Sequence, residues 1–296
     1  PRANLSTFPP ALGTHSLVGD PKYALSDEAT SFLFIENTAG TNSNGLRNWN
    51  TVQTLESVSG SLDLATSQVT DETLVVEKTQ CNRTQRCKLK WLSYRPGLPV
   101  ATGVFDGVEV YGRAAVAIDE VNQRFVLFFG DGRDGVLHTT SRDVEAGPGG
   151  MWSPKFDTGE AAVRHMGGAV FDNDEQFQQL GLFMAAVDES DYHKLYQYEV
   201  IYAGGGDYAV GPAFEIHPSE ARTRRPFSLA YDAASQVIFV AWRDTGFNQV
   251  VAFASKQDMD SSVPFSDTVY TSVHANNGVD VALDSLLGTF MVGFAD

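Results

Sequence analysis

Basic residues are scarce. Lysine and arginine number 21 against 37 aspartates and glutamates, leaving a formal net charge of −16. A chain this acidic lacks the positive face that nucleic acids and anionic membranes attract, so neither is expected as a partner. No apolar run approaches the length of a membrane span. Histidine is sparse and scattered, at His15, His138, His165, His193, His217 and His274. No His-x-Glu or His-x-x-x-His spacing occurs, so no metal site is expected. No cofactor is expected either. Cysteine occurs twice, at Cys81 and Cys87, and no stretch shows an amphipathic helix of ordinary length.

What is present is a repeat of short β-type runs. The clearest copy starts at Arg225-Pro-Phe-Ser-Leu-Ala-Tyr-Asp232, turns, and continues as Val237-Ile-Phe-Val-Ala-Trp242. A polar loop leads to Gln249-Val-Val-Ala-Phe-Ala-Ser255. Matching copies start at Arg113-Ala-Ala-Val-Ala-Ile-Asp119, Met166-Gly-Gly-Ala-Val-Phe-Asp172 and Gly278-Val-Asp-Val-Ala-Leu-Asp284. Two weaker ones start at Tyr23 and Ser61. The turn aspartates Asp119, Asp172, Asp232 and Asp284 lie 53, 60 and 52 residues apart. Their regular recurrence fits hydrogen-bonded turns and not catalysis.

A meander repeating at roughly 50 residues predicts an all-β fold, a six-bladed β-propeller with one blade per copy. One domain over residues 1–296 follows, since all-β rings commonly run this long. The small residues of each first run suit a strand lining a crowded axis. The last copy lacks outer strands, while Asn4 to Leu17 belong to no copy. The N-terminal segment is therefore expected to close the last blade and remove its open edge. Residues 37–50 and 96–111 read as a polar loop and a connector.

Five residues separate Cys81 from Cys87, a span that a turn can close into a disulfide. Asn82-Arg-Thr84 and Asn4-Leu-Ser6 are glycosylation sequons. Together with a start at Pro1 that looks mature or trimmed, these features point to secretion.

The loops entering each first strand ring the mouth of the central channel. Asp20, Arg113, Arg164, His165, Arg225 and Asn277 map to this rim. Arginine presents a planar fork of donors suited to an oxygen-rich ligand. His165, beside Arg164, is the candidate acid–base group. Tyr23, Tyr192, Phe227 and Trp242 supply aromatic surface nearby in sequence. Arg113, Arg164, His165 and Arg225 are the candidate catalytic set, and Asp20, Tyr23, Tyr192, Phe227, Trp242 and Asn277 the candidate substrate-binding set. The bland alternative is that arginines and aspartates staple neighbouring loops. Because the rim residues differ from copy to copy, one composite site for a small molecule in the central channel is expected. A multivalent lectin would repeat its site.

Two resemblances bear on chemistry. Ser141-Arg-Asp143 followed by Gly150-Met-Trp152 is similar to the Asp-box of sialidase-like propellers, broken by an insertion, with a fainter echo at Ser255-Lys-Gln-Asp258. In that family the box is a folding turn, and three arginines hold a carboxylate. No Arg-Ile-Pro motif stands near the first copy. The whole chain, with its Ala-Tyr-Asp232 and Val-Ala-Trp242 blade pattern, acidic charge and sequons, resembles secreted fungal hetero-Diels–Alderases of tropolonic sesquiterpene pathways. That resemblance implies an enzyme that activates a hydroxymethyl-tropolone towards a quinone methide. Arg113, Arg164 or Arg225 would polarise the oxygen, and His165 would move the proton. A lectin or a sialidase-like hydrolase is the alternative.

Overall fold

The computed structural model describes the backbone of residues 23–27, 31–41 and 47–56. It also describes residues 62–294, except 68, 82–85, 96, 111, 162–164, 173–179, 190–191, 217–220, 226, 247–248, 258, 261–262, 277 and 285–287. Every regular element among them is a β-strand, and every pairing between strands is antiparallel.

The strands form six separate sheets among the described residues. Sheet 1 contains β1 (Tyr23–Asp27), β2 (Ser31–Thr41) and β3 (Arg47–Glu56). Sheet 2 contains β4 (Leu62–Thr66), β5 (Thr73–Thr79), β6 (Lys88–Tyr94) and β7 (Ala101–Val104). Sheet 3 contains β8 (Ala115–Asp119), β9 (Arg124–Asp131), β10 (Val136–Asp143) and β11 (Phe156–Ala161). Sheet 4 contains β12 (His165–Phe171), β13 (Leu180–Glu189), β14 (Tyr192–Gly204) and β15 (Asp207–Val210), with β16 (Phe214–Glu215) also on β14. Sheet 5 contains β17 (Ser228–Asp232), β18 (Val237–Arg243), β19 (Val250–Gln257) and β20 (Val269–His274). Sheet 6 contains β21 (Val279–Asp284) and β22 (Thr289–Phe294).

The first strands β4, β8, β12, β17 and β21 lie side by side in chain order. Between consecutive sheets sit hydrophobic cores. Leu74, Val116 and Phe125 join sheets 2 and 3, and Phe128, Met166 and Tyr208 join sheets 3 and 4. Leu182, Leu229 and Trp242 join sheets 4 and 5, and Ala230, Val251 and Val281 join sheets 5 and 6. Sheets radiating from adjacent first strands, each with its core against the next, are the architecture of a β-propeller.

Turn chemistry sets the register. Asp119 Oδ1 accepts the Asn122 amide at 3.0 Å, and Oδ2 accepts the Asn122 side chain at 2.6 Å. Asp232 repeats this with the Ala234 amide at 3.1 Å and the Ser235 hydroxyl at 2.6 Å. Gln123 and Gln236, each four residues after its aspartate, carry positive φ of 53° and 54° and close equivalent turns.

Two sequence expectations need correction. Residues 37–50 are not a continuous loop, because β2 runs on to Thr41 and β3 begins at Arg47, with a register shift between Asn37 and Thr41. Ladder hydrogen bonds override the poor strand propensity of a polar stretch. Residues 96–111 likewise contain β7, which pairs along β6. Its alternating half-buried and exposed side chains give little apolar signal.

Sheet 6 differs in its cover. The sixth residue of the second strand is Phe129 in sheet 3, 1% exposed, and Trp242 in sheet 5, 0% exposed. In sheet 6 it is Phe294, 38% exposed. The strand that is interior elsewhere has an uncovered edge here among the described residues. The N-terminal segment expected to cover it lies outside the described residues.

Candidate functional site

Chain direction places the starts of the first strands at the same end as the loops between second and third strands. This loop end carries the Cys81–Cys87 loop, residues 131–135 and residues 243–250. The two cysteines are joined as a disulfide with a sulfur–sulfur distance of 2.06 Å. Cys87 and Val110 exchange both backbone hydrogen bonds at 2.8 Å, and Val110 also bridges to Asp131. The disulfide loop of sheet 2 is thereby stitched to the hairpin loop of sheet 3. A second seam repeats this pattern two sheets on. Thr223 donates its amide to His193 at 2.9 Å, and Thr245 donates to Arg222 at 3.0 Å.

Arg113 lies beneath this rim. It precedes β8, is buried, and donates from Nη2 to Asp63 Oδ1 on β4 at 2.9 Å. The other Asp63 oxygen accepts the Val116 amide at 2.8 Å. Arg113 Nη1 reaches the Phe227 carbonyl, at the start of β17, at 3.4 Å. One guanidinium thus ties sheets 2, 3 and 5 together. Phe227 is fully buried beside it, and its ring lies against Gly167. A Cβ on Gly167 would come within 2.1 Å of Phe227 Cε2, so only glycine leaves room for the ring. Arg113 and Phe227 together close the junction of sheets 2, 3 and 5 in the interior.

Arg225 behaves differently. It is exposed, and its backbone amide donates to Thr223 Oγ1 at 3.2 Å. The sequence places Arg113 six residues before its turn aspartate and Arg225 seven before its own. Arg113 is buried in the interior, whereas Arg225 stands in a bend of the chain and is exposed.

Arg243, the last residue of β18, is a further buried arginine at the loop end that the sequence does not mark as a rim residue. Arg243 is buried, with Nε donating to the Ala275 carbonyl at 2.5 Å and Nη2 to Gln249 Oε1. Burial, and then the positive charge of Arg225, weaken its hold on its proton. The adjacent Asp244 is turned inward and accepts from Trp242 Nε1 at 3.3 Å. The one available signal was the position of Arg243 at the end of a second strand, facing the same loops.

The remaining sequence candidates divide by what is described. Trp242 is fully buried in the core between sheets 4 and 5, where it acts as packing. Arg164, Asp20, Asn277, Asn4 and Asn82 lie outside the described residues. His165, Tyr23 and Tyr192 have described backbone as the first residues of β12, β1 and β14, but their side chains lie outside the described residues.

One cluster has metal-like composition. Asp131, Asp134 and His138 bring ligand atoms within 4.8 Å of one another. Lys155 already supplies the cation, 2.8 Å from Asp131 Oδ2 and 3.1 Å from Asp134 Oδ2. His138 Nε2 lies 2.9 Å from Asp134 Oδ2, and Nδ1 lies 3.2 Å from the Phe156 carbonyl. Slight desolvation opposes ionisation of Asp134. Hydrogen bonds from His138, Lys155 and the Val136 amide outweigh it and hold the carboxyl down at about 2.

At the opposite end sits the Asp-box-like stretch. Arg142 is fully buried and pairs with Glu72 of sheet 2. It also donates to Ser93 Oγ at 3.1 Å and to the Gly147 and Pro148 carbonyls at 3.0 and 2.6 Å. Phe125, Trp152 and Trp91 surround its guanidinium. The stretch holds two sheets together and stands away from the mouth.

These features define a β-propeller, and solved structures of that type are similar to it. The BP39L lectin of Burkholderia pseudomallei gives a TM-score of 0.55 at 11% identity, covering 92% of this chain and 77% of the lectin. A triple arginine-to-alanine mutant of AofleA from Arthrobotrys oligospora gives 0.53 at 11% identity, covering 96% and 87%. The PQQ-bound aldose sugar dehydrogenase of Streptomyces coelicolor gives 0.50 at 13%, covering 93% and 85%. Identities this low establish likeness of fold alone. No family model matches the sequence, and no curated protein matches it significantly. Among the described residues, no helix is long and apolar enough to cross a membrane.

Proposed function

We propose that the chain is a secreted, glycosylated six-bladed propeller whose residues before Tyr23 cover β22, and whose loop end holds one small-molecule site. The observation that carries the single site is the unequal use of related positions. Arg113 is sealed in a three-sheet junction with Asp63 and Phe227, whereas Arg225 is exposed. A rim whose repeats have diverged in this way favours one composite site over a set of copies.

The proposed chemistry is a hetero-Diels–Alder cycloaddition in natural-product biosynthesis. Arg225 donates to the oxygen of a hydroxymethyl-tropolone, and His165 moves the proton as water leaves and the quinone methide forms. A terpene alkene then adds across the oxygen–carbon diene, forming one C–C and one C–O bond. Alignment of the two partners at the loop end lowers the entropic part of the barrier. No resident cofactor takes part in this scheme.

Carbohydrate binding is the second reading, favoured by the lectin and the sugar dehydrogenase among the similar structures. A sialidase-like hydrolase has less support. The described Tyr–Glu contact, Tyr196 to Glu215 at 3.2 Å, lies on the outer strands β14 and β16, away from the axis.

The test is to incubate the protein with a hydroxymethyl-tropolone and a sesquiterpene alkene. An adduct with the summed mass minus water, formed faster than in buffer and lost in Arg225→Ala, supports the enzyme. Saturable binding on a glycan array with no adduct supports the lectin.

A further inference from the structure

The hairpin of sheet 3 brings together three groups that no histidine spacing rule joins. Asp131 ends β9, Asp134 stands in the turn, and His138 is on β10. Each has its second polar atom tied to backbone. Asp131 Oδ1 accepts the Arg133 amide at 3.0 Å, and Asp134 Oδ1 accepts the Val136 amide at 3.1 Å. His138 Nδ1 lies 3.2 Å from the Phe156 carbonyl, and the Phe129 ring packs beside the imidazole at 5.8 Å between centroids. The remaining atoms, Asp131 Oδ2, Asp134 Oδ2 and His138 Nε2, are left to converge within 4.8 Å of one another.

Two further observations ask for a cation between them. His138 is 3% exposed, and both its ring nitrogens face acceptors, the Phe156 carbonyl and, at 2.9 Å, Asp134 Oδ2. A neutral imidazole carries one N–H and satisfies one of them, so the other nitrogen calls for a proton or a metal ion. With Nδ1–H donated to the carbonyl, Nε2 turns its lone pair inward, as a metal-ligating histidine does. The space between the carboxylates, moreover, already holds a positive charge. Lys155 Nζ lies 2.8 Å from Asp131 Oδ2 and 3.1 Å from Asp134 Oδ2. The Lys155 and Asp134 side chains are each 40% exposed, so the lysine can withdraw into solvent and the aspartate can adjust. Zinc bonds of about 2.0–2.2 Å set tetrahedral ligands roughly 3.4 Å apart, close to the present separation of Asp134 and His138.

We propose that Asp131, Asp134 and His138 form a binding site for one divalent transition-metal ion of the zinc type, with Lys155 as its displaceable internal counter-ion. The ion takes Asp131 Oδ2, Asp134 Oδ2 and His138 Nε2, and water completes its shell. One imidazole with two carboxylates suits zinc, whereas calcium and magnesium want six or more oxygens. Asp131 bridges to Val110, which pairs with Cys87, so a bound ion braces the seam between the loops of sheets 2 and 3. The site does not depend on what Arg225 binds.

Calorimetric titration of the EDTA-treated full chain with zinc chloride at neutral pH tests this, with calcium and magnesium chloride as controls. The parent is expected to bind one zinc ion weakly, because Lys155 must leave, and the control ions more weakly by about tenfold or more. Lys155→Met keeps the apolar stem and removes the charge, so it should bind zinc at least about tenfold tighter. Zinc should also raise the melting temperature of Lys155→Met more than that of the parent. In the Lys155→Met background, His138→Gln and Asp134→Asn should each weaken zinc by about tenfold or more. Asp134 is exposed, so its variant reports even where the buried His138→Gln fails to fold. No zinc binding to Lys155→Met at millimolar concentration, equal zinc affinity in parent and Lys155→Met, or zinc affinity unchanged by Asp134→Asn would each overturn the proposal. Calcium binding as tight as zinc would overturn it too, since the carboxylates would then act without the imidazole.

Discussion

Arg142 and Lys256 occupy the same place in two different sheets. Each is the penultimate paired residue of a third strand, opposite Phe125 in sheet 3 and Ile238 in sheet 5. Each is buried and reaches into the preceding sheet, Arg142 to Glu72 and Lys256 to Gln197 Oε1 at 2.7 Å. Each also donates to carbonyls of the loop that follows, those of Gly147 and Pro148 for Arg142 and that of Asp260 for Lys256. The two Ser-basic-x motifs are thus inter-sheet clamps at one structural position. Arg142→Ala leaves Glu72 charged and unpaired in the interior and is expected to cost about 3–5 kcal/mol. Lys256→Ala strands the neutral acceptors Gln197 Oε1 and the Asp260 carbonyl and is expected to cost about 1–3 kcal/mol. Because the clamps lie at different interfaces, the double variant should be additive within roughly 0.5 kcal/mol in urea unfolding.

Gly167 and Phe227 form the second testable contact. Gly167→Ala places a methyl group inside the Phe227 ring and should destabilise the fold by about 1–3 kcal/mol. Phe227→Leu removes the clashing ring edge, so the double variant should be more stable than Gly167→Ala alone. Thermal melts of the three variants check this.

The Asp134–Lys155 pair sets an acid limb. Asp134 has its folded value depressed from 3.8 to about 2, so its stabilising contribution is complete above pH 4. It is lost as pH falls from about 4 towards 2. Lys155 is raised, despite some desolvation, by its hydrogen bonds to Asp131 and Asp134, so its contribution is present at neutral pH and fades only in strong alkali. Asp134→Asn should lower the melting temperature at pH 7. The difference from the parent should shrink as pH approaches 2. A difference that stays constant down to pH 2 contradicts the assignment.

The uncovered edge of β22 bears on ring closure. Deleting residues 1–18 is expected to lower the melting temperature by several degrees and promote association, because Met291 and Phe294 are already exposed. An unchanged melt after deletion removes the N-terminal segment as the cover. Intact mass before and after reduction checks the Cys81–Cys87 bond in the same preparation, as a gain of two hydrogens.

Much of this scaffold was legible because its signals are local. Asp119 and Asp232 mark turns by their own hydrogen bonds, and apolar runs such as 124–129 and 237–242 fall inside β9 and β18. The outer strands β7, β11 and β20 were not legible. They are short, half exposed and defined by ladder bonds to a neighbour rather than by side-chain pattern. The rim was legible only as a list of residues. Nothing local shows that Arg113 meets Asp63, 50 residues earlier, or that Arg225 stays exposed in a bend. Arg243 escaped notice because its partners, the Ala275 carbonyl and the Gln249 side chain, are brought to it only by the fold.

The central claim is one site at the loop end with Arg225 at its edge. A crystallographic soak with small planar aromatic fragments tests it most directly. The account predicts fragment density at the loop end, within hydrogen-bond distance of the Arg225 guanidinium, and at no equivalent position around the ring. Fragments bound in repeated clefts between successive sheets, with the mouth empty, would contradict it.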